Sequence, residues 1–215
     1  MRWLDKLERK FGKICIPNLM AYIVITNLFV FLLRLFPNAI DLTPYLTLVP
    51  ELVFRGQVWR LITYIFIPPT TSIIWILFTL YFYYIIGSTI ESEWGSFKFN
   101  VYYFCGMIGT TIAALFFGSA TGLYINLSLF FAFAELFPDF QFMLFFMIPV
   151  KAKYIAWVDW AFFLLNILFA PLSYKIGALM AIINFFLFFG PNFVRRIKNF
   201  FRRRKYRQQW NNFHS

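Results

Sequence analysis

From Phe99 to Ala134 the chain runs for 36 residues without a Lys, Arg, His, Asp or Glu. A soluble domain carries charge at roughly a quarter of its positions, so a neutral run of this length has no place in one. The run is also longer than one membrane crossing, which takes about 20 residues at a rise of ~1.5 Å each. Gly118-Ser119-Ala120-Thr121-Gly122 divides it, which predicts two apolar helices, about 99–117 and about 123–137. The whole chain agrees: it is 61% hydrophobic and 24% aromatic, and only 13% of its residues are charged. These features exclude an ordinary soluble fold and predict an all-α integral membrane protein.

The net charge of +11 is informative once it is divided by position. Residues 1–13 carry Arg2, Lys6, Arg9, Lys10 and Lys13 against Asp5 and Glu8. Residues 191–215 carry Arg195, Arg196, Lys198, Arg202, Arg203, Arg204, Lys205 and Arg207 with no acid, and residues 14–190 sum to zero. Positive charge beside apolar spans marks the cytoplasmic side, so both termini are expected inside and the number of spans even. Hydropathy gives six: 14–33, 73–90, about 99–117, about 123–137, 154–170 and 176–194. In domain terms, 1–13 is an amphipathic interfacial helix, 14–194 a six-span membrane domain, and 195–215 a basic cytoplasmic tail.

The connections have characters of their own. Residues 34–72 mix Arg34, Asp41, Glu51, Arg55 and Arg60 with apolar residues and Pro44, Pro50, Pro68 and Pro69, which predicts a loop lying in the outer interface between the first two spans. Phe140–Val150 is apolar but too short to cross, and it ends at Lys151 and Lys153, as expected for a segment on the inner interface. Asp159 falls inside the fifth span, with Lys151 or Lys153 as its expected partner. Trp3, Leu4, Leu7 and Phe11 recur at helical spacing, which predicts a helix lying flat on the inner leaflet. The basic tail, interleaved with Phe200, Phe201 and Tyr206, reads as attraction to anionic lipid rather than nucleic-acid binding, because it directly follows a span. Cys15 and Cys105 define no disulfide framework, His214 is the only histidine, and neither a metal site nor a cofactor is expected. No cleavable signal peptide is expected, and the localisation is a multi-pass membrane protein, in the plasma membrane if prokaryotic.

Several local patterns occur in a telling order. Trp59-Arg60 precedes the second span; Gly87, Glu91 and Gly95 follow at intervals of four; Gly106 and Gly109 lie in the third span, Ser128 in the fourth, and Gly177 and Ala181 early in the sixth. Read as one helix, the Gly87/Glu91/Gly95 series places two glycines and a carboxylate on a single face, where a neighbouring backbone approaches closely. This series of landmarks resembles the rhomboid family of intramembrane serine proteases and their inactive relatives, the derlins among them. The resemblance implies a six-helix rhomboid-like bundle and assigns structural roles to Trp59, Arg60, Gly87, Glu91, Gly95 and Gly177.

It also assigns catalytic positions, which this chain fills only in part. The family's Gly-x-Ser-Gly nucleophile motif corresponds to Asn126-Leu127-Ser128-Leu129, with both glycines replaced. Lys175 stands at the position of the family's histidine base, and Trp75 and Thr79 stand where a histidine and an asparagine stabilise the oxyanion; Asn126 belongs to the same set. A serine hydroxyl without a base is a poor nucleophile. The expectation is therefore a pseudoprotease that binds transmembrane segments of client proteins between its second and fifth spans. On this view Ser128 is a packing residue whose hydroxyl bonds a carbonyl one turn back. Two alternatives stay open: a divergent protease in which a desolvated Lys175 serves Ser128 as base, and a membrane-perturbing or scaffold protein acting through its amphipathic and aromatic surfaces.

Overall fold

The computed structural model describes residues 2–36, 41–118, 122–144, 148–169 and 175–190. Ten α-helices are described: α1 (Arg2–Phe11), α2 (Leu19–Leu35), α3 (Thr43–Leu46), α4 (Pro50–Phe54), α5 (Arg60–Thr63), α6 (Ile73–Trp94), α7 (Ser96–Phe117), α8 (Gly122–Leu136), α9 (Ala152–Phe169) and α10 (Lys175–Gly190). A 3-10 turn, Tyr64–Phe66, extends α5, and strands β1 (Gln141–Leu144) and β2 (Ile148–Lys151) lie between α8 and α9. Helices α6 and α7, 22 residues each, are long and apolar enough to cross a bilayer, and α2, α8 and α10 are shorter apolar helices. The basic tail and His214 lie outside the described residues, as does the end of the expected sixth span, 191–194.

The first apolar helix starts five residues later than hydropathy predicts. Pro17 has no N–H to give to a helix, and Asn18 adopts a left-handed backbone (φ 54°), so the chain turns before Leu19. The Asn18 N–H is satisfied from a distance: it donates to Glu91 Oε1 at 2.7 Å. The same buried oxygen accepts from Ser96 Oγ at 2.6 Å. Glu91 thus fastens the start of α2 to the junction of α6 and α7. Gly95 sits in that junction rather than on the helix face expected for it, and its φ of +83° explains the glycine. Gly87 does serve close approach. A Cβ there would lie 2.3 Å from Met20 Cγ and 2.6 Å from Met20 Cβ, so α2 and α6 meet without room for a methyl group.

The long connection after α2 is packed against the helices. Arg60 is only 3% exposed and makes Pro44, Thr47 and Gln57 converge: Nη1 donates to the Pro44 and Thr47 carbonyls at 2.7 and 2.6 Å, and Nε donates to Gln57 Oε1 at 2.7 Å. Five fixed donors let one arginine satisfy a turn that is short of backbone hydrogen bonds. Trp59, its neighbour, is exposed. Beyond Arg60, the Tyr64 hydroxyl donates to the Met107 carbonyl at 3.0 Å and Asn27 Nδ2 donates to the Ile65 carbonyl at 3.1 Å, which seats the connection between α2 and α7.

The segment after α8 is a further departure from an all-α fold. Gln141–Leu144 pairs antiparallel with Ile148–Lys151, with Gln141 opposite Lys151 and Leu144 opposite Ile148. Alternation explains it: Phe142 points inward, buried, and stacks on Phe82 of α6 with ring centroids 4.5 Å apart, while Gln141 and Met143 point outward. Pro149 is tolerated because a two-stranded ribbon has only edges. The hairpin leads directly into α9, which packs on α8 through the stacked pair Phe131 and Trp160.

The N-terminal helix is docked. Leu4 is buried, and Lys98 Nζ at the start of α7 bridges Asp5 Oδ1 at 2.9 Å and Glu8 Oε2 at 3.2 Å. Lys6, Leu7, Arg9, Lys10 and Phe11 stay exposed, while Leu4 of the expected apolar face is turned into the protein together with the two acids. The side chain of Trp3 lies outside the described residues.

Candidate functional site

Two polar centres emerge among the described residues, one holding Ser128 and the other Trp75, Thr79 and Asn126. The first surrounds Ser128, which is fully buried on α8. The Tyr102 hydroxyl lies 2.5 Å from Ser128 Oγ and donates its hydrogen to the Ser128 carbonyl at 2.8 Å. A phenol has one hydrogen, so the short contact is completed by the Ser128 hydroxyl donating to the Tyr102 oxygen. Asn184 Nδ2 of α10 supplies the remaining contact to Ser128 Oγ at 3.4 Å. The hydroxyl therefore joins α7, α8 and α10 rather than bonding a carbonyl one turn back. Neither a phenol nor an amide is a base at neutral pH, so this network offers Ser128 no proton acceptor.

Lys175 is not a hydrogen-bond partner of Ser128. It opens α10 nine residues before Asn184, about 13 Å along the helix axis. Gly177, two residues on, permits the approach of α8 and α10: a Cβ there would meet the Tyr124 ring at 2.9 Å. Gly106 does the same for α7 and α10, with Asn184 Nδ2 at 2.9 Å. These glycines serve packing around the serine layer.

The second centre is a groove bounded by α6, α8 and α9 and by the hairpin. One lobe, about 460 Å³, is lined by Trp75, Phe78, Thr79, Phe82, Tyr83, Met143 and Asp159. A second lobe, about 180 Å³, shares Phe82, Tyr83 and Asp159 and adds Asn126. All three residues assigned to oxyanion positions, Trp75, Thr79 and Asn126, thus border the groove, while Ser128 and Lys175 line neither lobe. Thr79 Oγ1 donates to the Trp75 carbonyl at 2.8 Å, which leaves its lone pairs to the groove. Asn126 is buried, and its Oδ1 has no hydrogen-bond partner.

Asp159 gains its position through a corrected pairing. Lys151 and Lys153, its expected partners, both reach Asp139 instead, at 3.1 and 3.0 Å. Asp139 follows Pro138 in the turn after α8, and the antiparallel hairpin brings both lysines back to it. Hydrogen bonds from Lys153 and then Lys151 hold the Asp139 carboxyl below its usual range, and Asp139 in turn pushes Lys153 up. Asp159 is left in an apolar groove with no hydrogen bond or ion pair to any described residue. Its isolation was not readable from charge spacing, because the turn that diverts the lysines is tertiary. Tyr102 and Asn184 were also missed; a lone Asn in the apolar stretch Ile176–Phe189 was the available signal.

No curated protein matches the chain. A family model described as "Eukaryotic integral membrane protein (DUF1751)" matches residues 18–190, which takes in every element from α2 to α10 and so both polar centres. The reading of an integral membrane protein therefore stands, the bilayer is its surrounding, and the conditional prokaryotic plasma membrane falls away. The chain belongs to this family of eukaryotic integral membrane proteins.

Proposed function

We propose that this protein is a catalytically inactive, rhomboid-like membrane protein that binds transmembrane segments of client proteins at the groove between α6 and α9. In this reading α2, α6, α7, α8, α9 and α10 are the six spans, both termini face the cytoplasm, and the basic ends attract anionic lipid. The observation that carries it is the separation of the two centres. The only serine at the family's nucleophile position is sealed among Tyr102 and Asn184, whereas the residues at the oxyanion positions border an apolar groove. A serine without a base and an open groove are what client binding without hydrolysis requires.

Two features favour helices as ligands. The groove walls are aromatic and apolar, and a helix in lipid is bound by packing and by hydrogen bonds from a few polar groups. Trp75 and Met143, which line the groove, are exposed, which leaves lateral access from the bilayer. A photo-crosslinking side chain at Phe78, in the groove, tests this in native membranes. It is expected to capture single-span segments of other membrane proteins, and the same group at the exposed Phe116 of α7 is expected to capture far fewer. Equal capture at both positions overturns lateral binding at this groove.

A further inference from the structure

Asp159 raises a question that packing does not answer. A carboxylate facing an apolar cavity within a membrane is costly unless something cationic or hydrogen-bonding meets it. The two nearby lysines are committed to Asp139, and no described residue pairs with Asp159. The second lobe adds an independent sign: Asn126 is 8% exposed, and although its side chain meets the Tyr83 hydroxyl, its Oδ1 is buried without a hydrogen-bond partner beside the same cavity. Thr79, bordering the other lobe, has already given its hydrogen to the Trp75 carbonyl. These three groups all present acceptors. The donors in the lining, the Tyr83 hydroxyl and the Trp75 indole N–H, are neutral, and the carboxylate asks for one that is positive.

We infer that the groove selects transmembrane helices carrying a lysine or arginine within their apolar stretch, the cation being received by Asp159 with help from Asn126 Oδ1. This rests on the client-binding reading and names the chemistry of the client. The dimensions fit side-chain capture. One turn of helix about 10 Å across displaces roughly 400 Å³, so a lobe of about 460 Å³ takes projecting side chains of a helix lying against the opening and not the helix itself. Depth separates a helix-borne cation from a lipid amine. Asp159 lies seven residues into α9, about 10 Å along its axis from the Ala152 end where Lys153 and Asp139 sit, so an aminolipid headgroup would have to sink that far. A lysine or arginine in a spanning helix is already there, and that helix gains a counter-ion it lacks in lipid.

The test uses the full-length protein with the crosslinking group at Phe78, reconstituted in phosphatidylcholine vesicles with single-span Leu/Ala peptides whose central residue is Lys, Arg, Leu or Glu. The expected result is about tenfold more crosslinking of the Lys and Arg peptides than of the Leu peptide. Asp159→Asn is expected to bring that ratio to within twofold, and Asp159→Glu and Asp139→Asn to preserve it. Should Asp159→Asn fail to fold, loss of the Lys preference when vesicle pH falls, with capture of the Leu peptide unchanged, reports the same charge. Equal capture of Lys and Leu peptides by the unaltered protein overturns the cation preference and leaves client binding intact. Capture of no peptide, the Leu peptide included, overturns both. A photoreactive phosphatidylethanolamine that labels the groove as strongly as the Lys peptide overturns the assignment to a helix.

Discussion

Arg60 shows what one residue does for this fold. Its guanidinium is almost wholly buried and donates to two carbonyls and one amide oxygen that no regular structure would satisfy. Hydrogen bonds from a charged donor contribute about 1.5–3 kcal/mol, and removing the donor also strands the acceptors. Arg60→Ala is accordingly expected to destabilise the protein by about 3 kcal/mol, measured by denaturant unfolding in detergent. Arg60→Lys is expected to recover only part of this, because an ammonium lacks the planar fork that reaches three acceptors at once. At this scale the sequence was legible for identity and silent on partners. Trp59-Arg60 stood out as a pair, yet nothing in its spacing distinguished the buried arginine from the exposed tryptophan. Ser128 and Asp159 teach the same lesson, since both were visible as polar residues in apolar helices and both received their neighbours from elements far away in the chain.

Among the elements, the hairpin is the one whose strand pairing hydropathy left unseen. Eleven apolar or neutral residues followed by two lysines look interfacial, and only the alternation around Phe142 marks a strand. Its attachment is partly electrostatic: Lys153 and Lys151 grip Asp139, and the stacked Phe142 and Phe82 rings fix the hairpin to α6. The sign of the pH dependence follows from the carboxyl. Its folded-state pKa is lowered, so the attachment is fully present above the ordinary value of about 3.8 and is lost as pH falls through the lower folded value. Amide exchange in Gln141–Leu144 and Ile148–Lys151, corrected for the intrinsic rate, is expected to rise below about pH 3.8. Asp139→Asn is expected to raise it at pH 7 while leaving α7 unaffected. The pair is exposed and the effect local, so global stability should hardly change. The long apolar helices were the most legible elements, because sustained hydropathy has few other uses; their ends were less so, being set by Pro17, Asn18 and Gly95 and by the distant acceptor Glu91.

Over the whole molecule, two polar centres share α8 and face different ways. Ser128 is turned to α7 and α10, while Asn126, two residues earlier, borders the groove beside α6 and α9. Two residues on a helix are about 200° apart, which separates a sealed packing layer from a surface available to ligands. The membrane class was legible from the charge-free run alone, and the family match over 18–190 upholds it. The groove was not legible, because it is made by the spacing of helices and not by any motif. The central claim is binding without cleavage, and its most direct measurement is turnover of a labile single-span substrate, known to be captured at Phe78, by the purified protein in proteoliposomes. The account predicts no cleavage product above the level given by Ser128→Ala. A product formed by the unaltered protein and abolished by Ser128→Ala would contradict it.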